Sequence, residues 1–337
     1  MYIFARATME NNTDTPKEKL YSLYWWKWLV FALAAFGLHY QLFQNKNLWS
    51  AWSQYKNNVS PDAKLLTIIV FILMFINWSV EAIRWNSLLR KVEYVSFIDA
   101  LKATFSGITF ALFTPNRVGE YAGRVLFINT VSRWRILIVT TIGIYAQLLS
   151  TIFFGTLGLA YVMLVSGVLS STFYVEWTVI ILLIISAILL FILYFNISLI
   201  ENLLERFSFL SKAKLYLKVL LHYSSKELFN VLSLSMLRYM VFTLQYLLLL
   251  KIFNIQIPLM EGIALIATIF LVQTIIPSIA IAEVGIRGNV ALFFLTPYSG
   301  NQLGIVSAAW GLWLINLVIP AVIGMILILI SRGIKRK

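Results

Sequence analysis

Apolar runs long enough to cross a lipid bilayer recur along this chain, and they fix its class before any motif is read. A helix needs about 20 consecutive apolar residues to cross. Runs of that order stand at 21–43, 63–88, 136–165, 175–196, 229–251 and 303–330. In hydrocarbon every backbone N–H and C=O must be satisfied internally, which helices of this length achieve alone. With 60% hydrophobic and only 12% charged residues and a mean hydropathy of +0.84, the chain reads as an all-α polytopic helical membrane protein. The expected organisation is a polar N-terminal tail over 1–20 and a single transmembrane domain over 21–337 with six spanning helices. The run at 21–43 lacks a small-residue cleavage site and is read as a retained anchor, not a signal peptide.

Two further apolar regions, 97–128 and 259–296, are each broken by a proline and followed at once by charge. The breaks read Phe113-Thr114-Pro115-Asn116-Arg117-Val118-Gly119-Glu120 and Ile276-Pro277-Ser278-Ile279-Ala280-Ile281-Ala282-Glu283-Val284-Gly285-Ile286-Arg287. Broken backbone and ionisable groups at membrane depth are tolerated only where protein or trapped water covers them. Both regions are therefore read as re-entrant helical hairpins, and their tips as a candidate site for a polar group.

Charge placement supports this topology. Cytoplasmic loops carry excess Lys and Arg. With six spans and two returning hairpins, most of the 27 Lys and Arg collect on one side: the N-terminus, the 84–135 region, the 198–227 loop and the tail. Both termini are then cytoplasmic, and the 198–227 loop, with Arg206, Lys212, Lys214, Lys218 and Lys226, reads as an amphipathic segment on the inner surface. The net charge of +13 points to anionic lipid headgroups rather than to nucleic acid. Trp25, Trp26, Trp28, Trp85, Trp134, Trp177, Trp310 and Trp313 fall near the ends of spans, as an aromatic belt would. Zero cysteines and only two histidines, His39 and His222, leave almost nothing to hold a metal, and no cofactor is expected.

The order span–hairpin–span occurs twice, with the second unit inverted relative to the first. Many transporters place a midplane site between two such repeats. In the first unit Thr114 can cap a helix opened by Pro115, and Arg117, Glu120 and Arg124 then share one face. Gly119 and Gly123 give the adjoining face a close-packing surface. Two readings stand for these charges: a phosphate cradle beside a helix N-terminus, or an ion network that only holds the hairpin. In the second unit Glu283 and Arg287 stand at i, i+4, and Gly285 and Gly288 leave room for close backbone approach. This pair would complete a headgroup site, carry a coupled proton or cation, or form a structural salt bridge. Glu81 and Arg84, at the end of a span, are read as snorkelling, and Arg238 as facing the bundle interior.

The stretch Thr114-Pro115-Asn116-Arg117-Val118-Gly119-Glu120 resembles the Thr-Pro…Gly-Glu element of the transmembrane region of lysylphosphatidylglycerol synthetases, a flippase-like family. Pro277 to Gly288 is similar to that family's second, proline-led element, although Ile281 and Ala282 stand where relatives commonly carry a Gly-rich run. The resemblance covers most of 21–335. It implies a helical domain that moves lipids between leaflets, without the soluble synthetase domain, so aminoacyl transfer from tRNA is not expected. The substrate-binding residues it and the motifs mark are Thr114, Pro115, Asn116, Arg117, Gly119, Glu120, Arg124, Pro277, Ser278, Glu283, Gly285 and Arg287, with no catalytic set. The expected partners are membrane lipids with anionic headgroups, with a second copy or a partner enzyme beyond them. The expected location is the plasma membrane of a prokaryote. The function read is a lipid flippase or scramblase for an anionic or aminoacylated phospholipid or a polyprenyl-phosphate-type lipid. The alternatives are an intramembrane lipid-modifying enzyme and an accessory subunit of a glycosyltransferase or synthetase.

Overall fold

The computed structural model describes residues 53, 61–112, 114, 118–128, 133–166, 173–196, 223–276 and 280–331. The expected first span at 21–43, the tail at 1–20 and nearly all of the 198–227 loop lie outside the described residues. Among the described residues the protein is all-helical, with no strand. The order is α1 (Pro61–Leu89), α2 (Phe97–Ala111), α3 (Gly119–Val125), α4 (Arg133–Tyr161), α5 (Phe173–Phe195), α6 (Ser225–Ile252), α7 (Leu259–Ile275), α8 (Ala280–Leu295), α9 (Gln302–Trp313) and α10 (Ile319–Ile330). A π-helical turn, Val162–Ser166, extends α4, and another, Leu314–Val318, joins α9 to α10.

Five of these segments are long and apolar enough to span a bilayer: Asp62–Leu89, Arg135–Val165, Tyr174–Phe195, Ser225–Ile252 and Gln302–Ile330. They coincide with the five described runs of the sequence. On α5 the apolar side chains, among them Ile181, Leu182, Ile185, Ile188 and Leu189, are exposed, as a helix bathed in lipid requires. The protein is an integral membrane protein.

Local sequence sets the helix starts. Ser96 accepts the Asp99 N–H at the head of α2. Ser224 and Glu227 form a reciprocal capping box at the head of α6. Asn301 accepts the Gly304 N–H at the head of α9.

Two units, α1–α4 and α6–α10, pack reciprocally. Helix α1 lies against α6, the first hairpin arm α2 lies against α10, and the corresponding arm α7 lies against α4. Helices α1 and α6 run antiparallel, since partners recede along α6 as α1 advances. Gln245 donates to the Val70 carbonyl (3.0 Å), Arg238 to Asn77 (2.9 Å), Arg84 to Ser235 (2.7 Å) and Tyr223 to the Leu88 carbonyl (2.7 Å). Small residues allow both cross-unit contacts. A Cβ on Gly324 of α10 would collide with the Phe105 carbonyl of α2, and one on Gly158 of α4 would strike the Ala264 carbonyl and Ala267 of α7. One and the same interval separates Leu89 from Ile252, Glu120 from Glu283 and Arg124 from Arg287. The two Glu-x-x-x-Arg pairs thus occupy equal register in the two units.

Three tryptophans differ from the aromatic-belt expectation, whereas Trp177 is exposed in the first turns of α5, and Trp25, Trp26, Trp28 and the Trp134 side chain lie outside the described residues. Trp85, Trp310 and Trp313 are buried inside the bundle, with Trp85 donating to Thr140 (3.0 Å) and Trp310 to the Val284 carbonyl (2.8 Å). The Trp85 and Trp310 indole N–H groups find partners on neighbouring helices, which a position near a span end does not reveal.

Candidate functional site

The first hairpin is closed by backbone contact. Gly119 and Gly123 on α3 face the carbonyls of Phe110 and Ser106 on α2, and any Cβ would overlap those atoms. This is the close-packing surface expected from their spacing. Thr114 Oγ1 accepts the Gly119 N–H (2.6 Å) and so caps α3, which starts at Gly119, several residues beyond the start expected at Pro115. Pro115, Asn116 and Arg117 lie outside the described residues.

Glu120 and Arg124 pair with each other across one turn of α3 and are both buried. The Arg124 guanidinium also donates to Glu81 of α1 (2.6 Å). Glu81 is the hub of a larger cluster. It takes Arg84 at 2.5 Å and Arg238 at 2.8 Å as well, so three guanidiniums from α1, α3 and α6 converge on a carboxylate that is 1% exposed. The cluster holds three positive and two negative groups. Arg124 also lies 5.0 Å from the Trp85 ring centroid, and Arg238 lies 4.9 Å from that of Trp78.

Hydrogen bonds to neighbouring polar groups offset part of the cost of burying such a cluster. Arg84 donates to Ser235 (2.7 Å) and Gln147 (3.4 Å), and Arg238 to Asn77 (2.9 Å). Asn77 in turn donates to Asn316 (3.1 Å), and Asn316 to Gln245 (3.2 Å). Asn316 sits in the π-helical turn, a local widening that turns side chains out of the regular helical register. The snorkelling expected of Glu81 and Arg84 is therefore replaced by burial. Arg238 faces the bundle interior as expected.

The second hairpin is built more loosely. Arg287 of α8 donates to Gln273 of α7 (3.2 Å). Gly288 lies against the Trp310 indole, and among the described residues no atom comes within 4 Å of a Cβ built on Gly285. Pro277 and Ser278 lie outside the described residues, and so does the side chain of Glu283. Beside this hairpin lies a cavity of about 240 Å³. Arg238 and Arg287 line it together with Trp78, Tyr239, Phe270 and Trp313, and its wall includes the π-turn residues Asn316 and Leu317.

The structure thus separates residues that the motifs had grouped. Arg124 and Glu120 belong to the ion cluster, and Arg287 belongs to the cavity. Arg238 reaches both, because it binds Glu81 and also lines the cavity. Glu81, Asn77 and Asn316 escaped the motif reading, although a carboxylate and two amides inside apolar spans are a signal in themselves. Among the described residues no group of three or more metal-ligating carboxylate or imidazole side chains converges.

No curated protein sequence matches the chain significantly. The family described as the lysylphosphatidylglycerol synthase TM region matches residues 24–324, a stretch that contains both hairpins and the whole ion cluster. The chain belongs to that family.

Proposed function

We propose that the protein is a lipid flippase or scramblase that passes an anionic headgroup through the arginine-lined cavity while the acyl or prenyl chains stay in the bilayer. The observation that carries this reading is the cavity itself. Two arginines line it, and no carboxylate does among the described residues. Arg238 stands about halfway along a spanning helix, where a charge is costly and usually serves a function. The two hairpins act as re-entrant elements of an inverted repeat, entering from opposite faces, with both termini on the cytoplasmic side of a prokaryotic plasma membrane. The reciprocal packing of the units and their equal Glu-x-x-x-Arg register support that arrangement.

In this reading the protein is a transporter without a catalytic step. The pairing of Glu120 with Arg124 weighs against Glu120 as a general acid or base, because the guanidinium occupies the carboxylate.

The test is leaflet exchange of fluorescent phosphatidylglycerol in liposomes holding the purified protein, followed by chemical quenching of the outer leaflet. The expected result is exchange well above that of empty liposomes, with a strong reduction in Arg287→Gln. Exchange at the empty-liposome rate for every anionic lipid would refute the reading.

A further inference from the structure

We infer that a ladder of buried amides, Asn77, Asn316 and Gln245, holds the Arg238 guanidinium in the position from which it binds an anionic headgroup, so that Asn77 and Gln245 are positioning residues for the cavity. The inference rests on the headgroup-passage reading above. Arg238 donates through Nε to Asn77 Oδ1 (2.9 Å) and through Nη1 to Glu81 (2.8 Å). Asn77 Nδ2 donates to Asn316 Oδ1 (3.1 Å), Asn316 Nδ2 to Gln245 Oε1 (3.2 Å), and Gln245 Nε2 to the Val70 carbonyl of α1 (3.0 Å). Every donor in the series points the same way, from the arginine toward the α1 backbone. Each amide therefore turns its oxygen toward the guanidinium, the orientation that stabilises a cation, and hydrogen bonds in series polarise one another.

The ladder acts from behind the cavity wall. Asn77 and Gln245 are both 0% exposed and so present no surface to the cavity, whereas Arg238 and Asn316 line it. An arginine side chain is long and rich in rotamers, and a single contact to Glu81 would leave the guanidinium able to turn about that bond. The contact at Nε, together with the Trp78 and Phe242 rings at 4.9 and 5.5 Å, fixes its plane. A group held in place before its ligand arrives loses little freedom on binding it. The ladder runs from α1 to the π-helical turn and on to α6, so it ties Arg238 to both packed units.

The test is a set of double-mutant cycles read in the affinity of the purified full chain in detergent for short-chain phosphatidylglycerol. Asn77→Leu is close to the native shape and removes the acceptor at Arg238 Nε. Arg238→Gln removes the group being positioned, while Arg84 and Arg124 still hold Glu81. Asn77→Leu is expected to weaken binding about two- to tenfold, the effect of leaving one long side chain to be ordered by the ligand. The same factor is expected in Arg287→Gln, and no further loss in Arg238→Gln. Gln245→Met is a milder second variant, because Asn316 Nδ2 keeps the Leu312 carbonyl (3.2 Å). Its loss is expected to be smaller and to vanish in Arg238→Gln as well. Unchanged affinity in either variant, or a loss that persists undiminished in Arg238→Gln, would overturn the inference, since packing alone lowers affinity whatever stands at position 238. Leaflet exchange separates this claim from the transport reading. Binding in the expected pattern with no exchange upholds the positioning and overturns transport. Exchange by the unmodified protein, with equal Asn77→Leu losses in every background, does the reverse. Inorganic phosphate bound as tightly as the lipid, with the same dependence on Arg238, overturns the lipid reading and upholds the ladder. No binding of either probe overturns both.

Discussion

The two hairpins carry the same Glu-x-x-x-Arg spacing at equal register, yet they have opposite surroundings. In the first, glycine against carbonyl brings α3 onto α2, and Arg124 is held by Glu120 and by Glu81 of α1. In the second, no atom of the described residues lies within 4 Å of a Cβ built on Gly285, and Arg287 lines a cavity. The difference originates in α1 and α6. The interval that relates Arg124 to Arg287 relates Glu81 to Leu244, which is exposed and apolar. One unit sets a carboxylate at this place, which holds Arg124, and the other sets a leucine there, with Arg287 donating to Gln273 and lining a cavity. Local motif identity therefore does not determine role; the helix packed behind the motif does.

The largest expected effect falls on the closed hairpin. Gly123→Val places a side chain into the Ser106 carbonyl and the Gly107 backbone, atoms that cannot rotate away. We expect a loss of about 4 kcal/mol or more, seen as failure to recover monodisperse protein. Normal recovery would show that the hairpin is not held by backbone contact.

Next comes the hub. Glu81→Ala leaves three guanidiniums converging on a buried site without their carboxylate, and removing one partner of a buried ion pair costs about 3–5 kcal/mol. Denaturation of the purified variant measures it, and a double-mutant cycle with Arg124→Met should show strong coupling. Additive effects would break the claim that α1 locks the first hairpin.

The smallest effect sharpens the contrast from the other side. Gly285→Ala adds a methyl group where no atom of the described residues lies within 4 Å, on the exposed face of α8. Helix propensity alone predicts a gain of about 0.5–1 kcal/mol, the opposite sign to Gly123→Val. A loss of stability there would mean that the second hairpin packs as tightly as the first.

Much of the fold was legible in the sequence, because hydropathy averaged over a span is insensitive to detail. The five described spans and the two proline-broken helix pairs fall where the apolar runs and breaks put them. The Gly119–Gly123 contact was legible too, since spacing alone places both residues on one face. The ion cluster was not. Glu81 and Arg84 near a span end look the same whether they snorkel to water or meet a partner, and the partners Arg124 and Arg238 lie far along the chain. The cavity was half legible. Arg287 stood in a motif, but Trp78, Arg238 and Trp313 come together only through the antiparallel packing of α1 and α6 and the position of α9. Trp313 even suggested the wrong place, because a tryptophan near a span end is as common at the lipid interface as in a packed bundle.

Headgroup passage through the cavity, rather than along the first hairpin, is the step on which the proposed function turns. The most direct measurement is a structure of the protein reconstituted with phosphatidylglycerol, read for the position of the lipid phosphorus. The expected result is phosphate density between Arg238 and Arg287, beside Trp78 and Trp313, with the Arg124–Glu81 contact intact. Phosphate density against the Thr114–Arg124 segment, with the cavity empty and Arg124 released from Glu81, would contradict it.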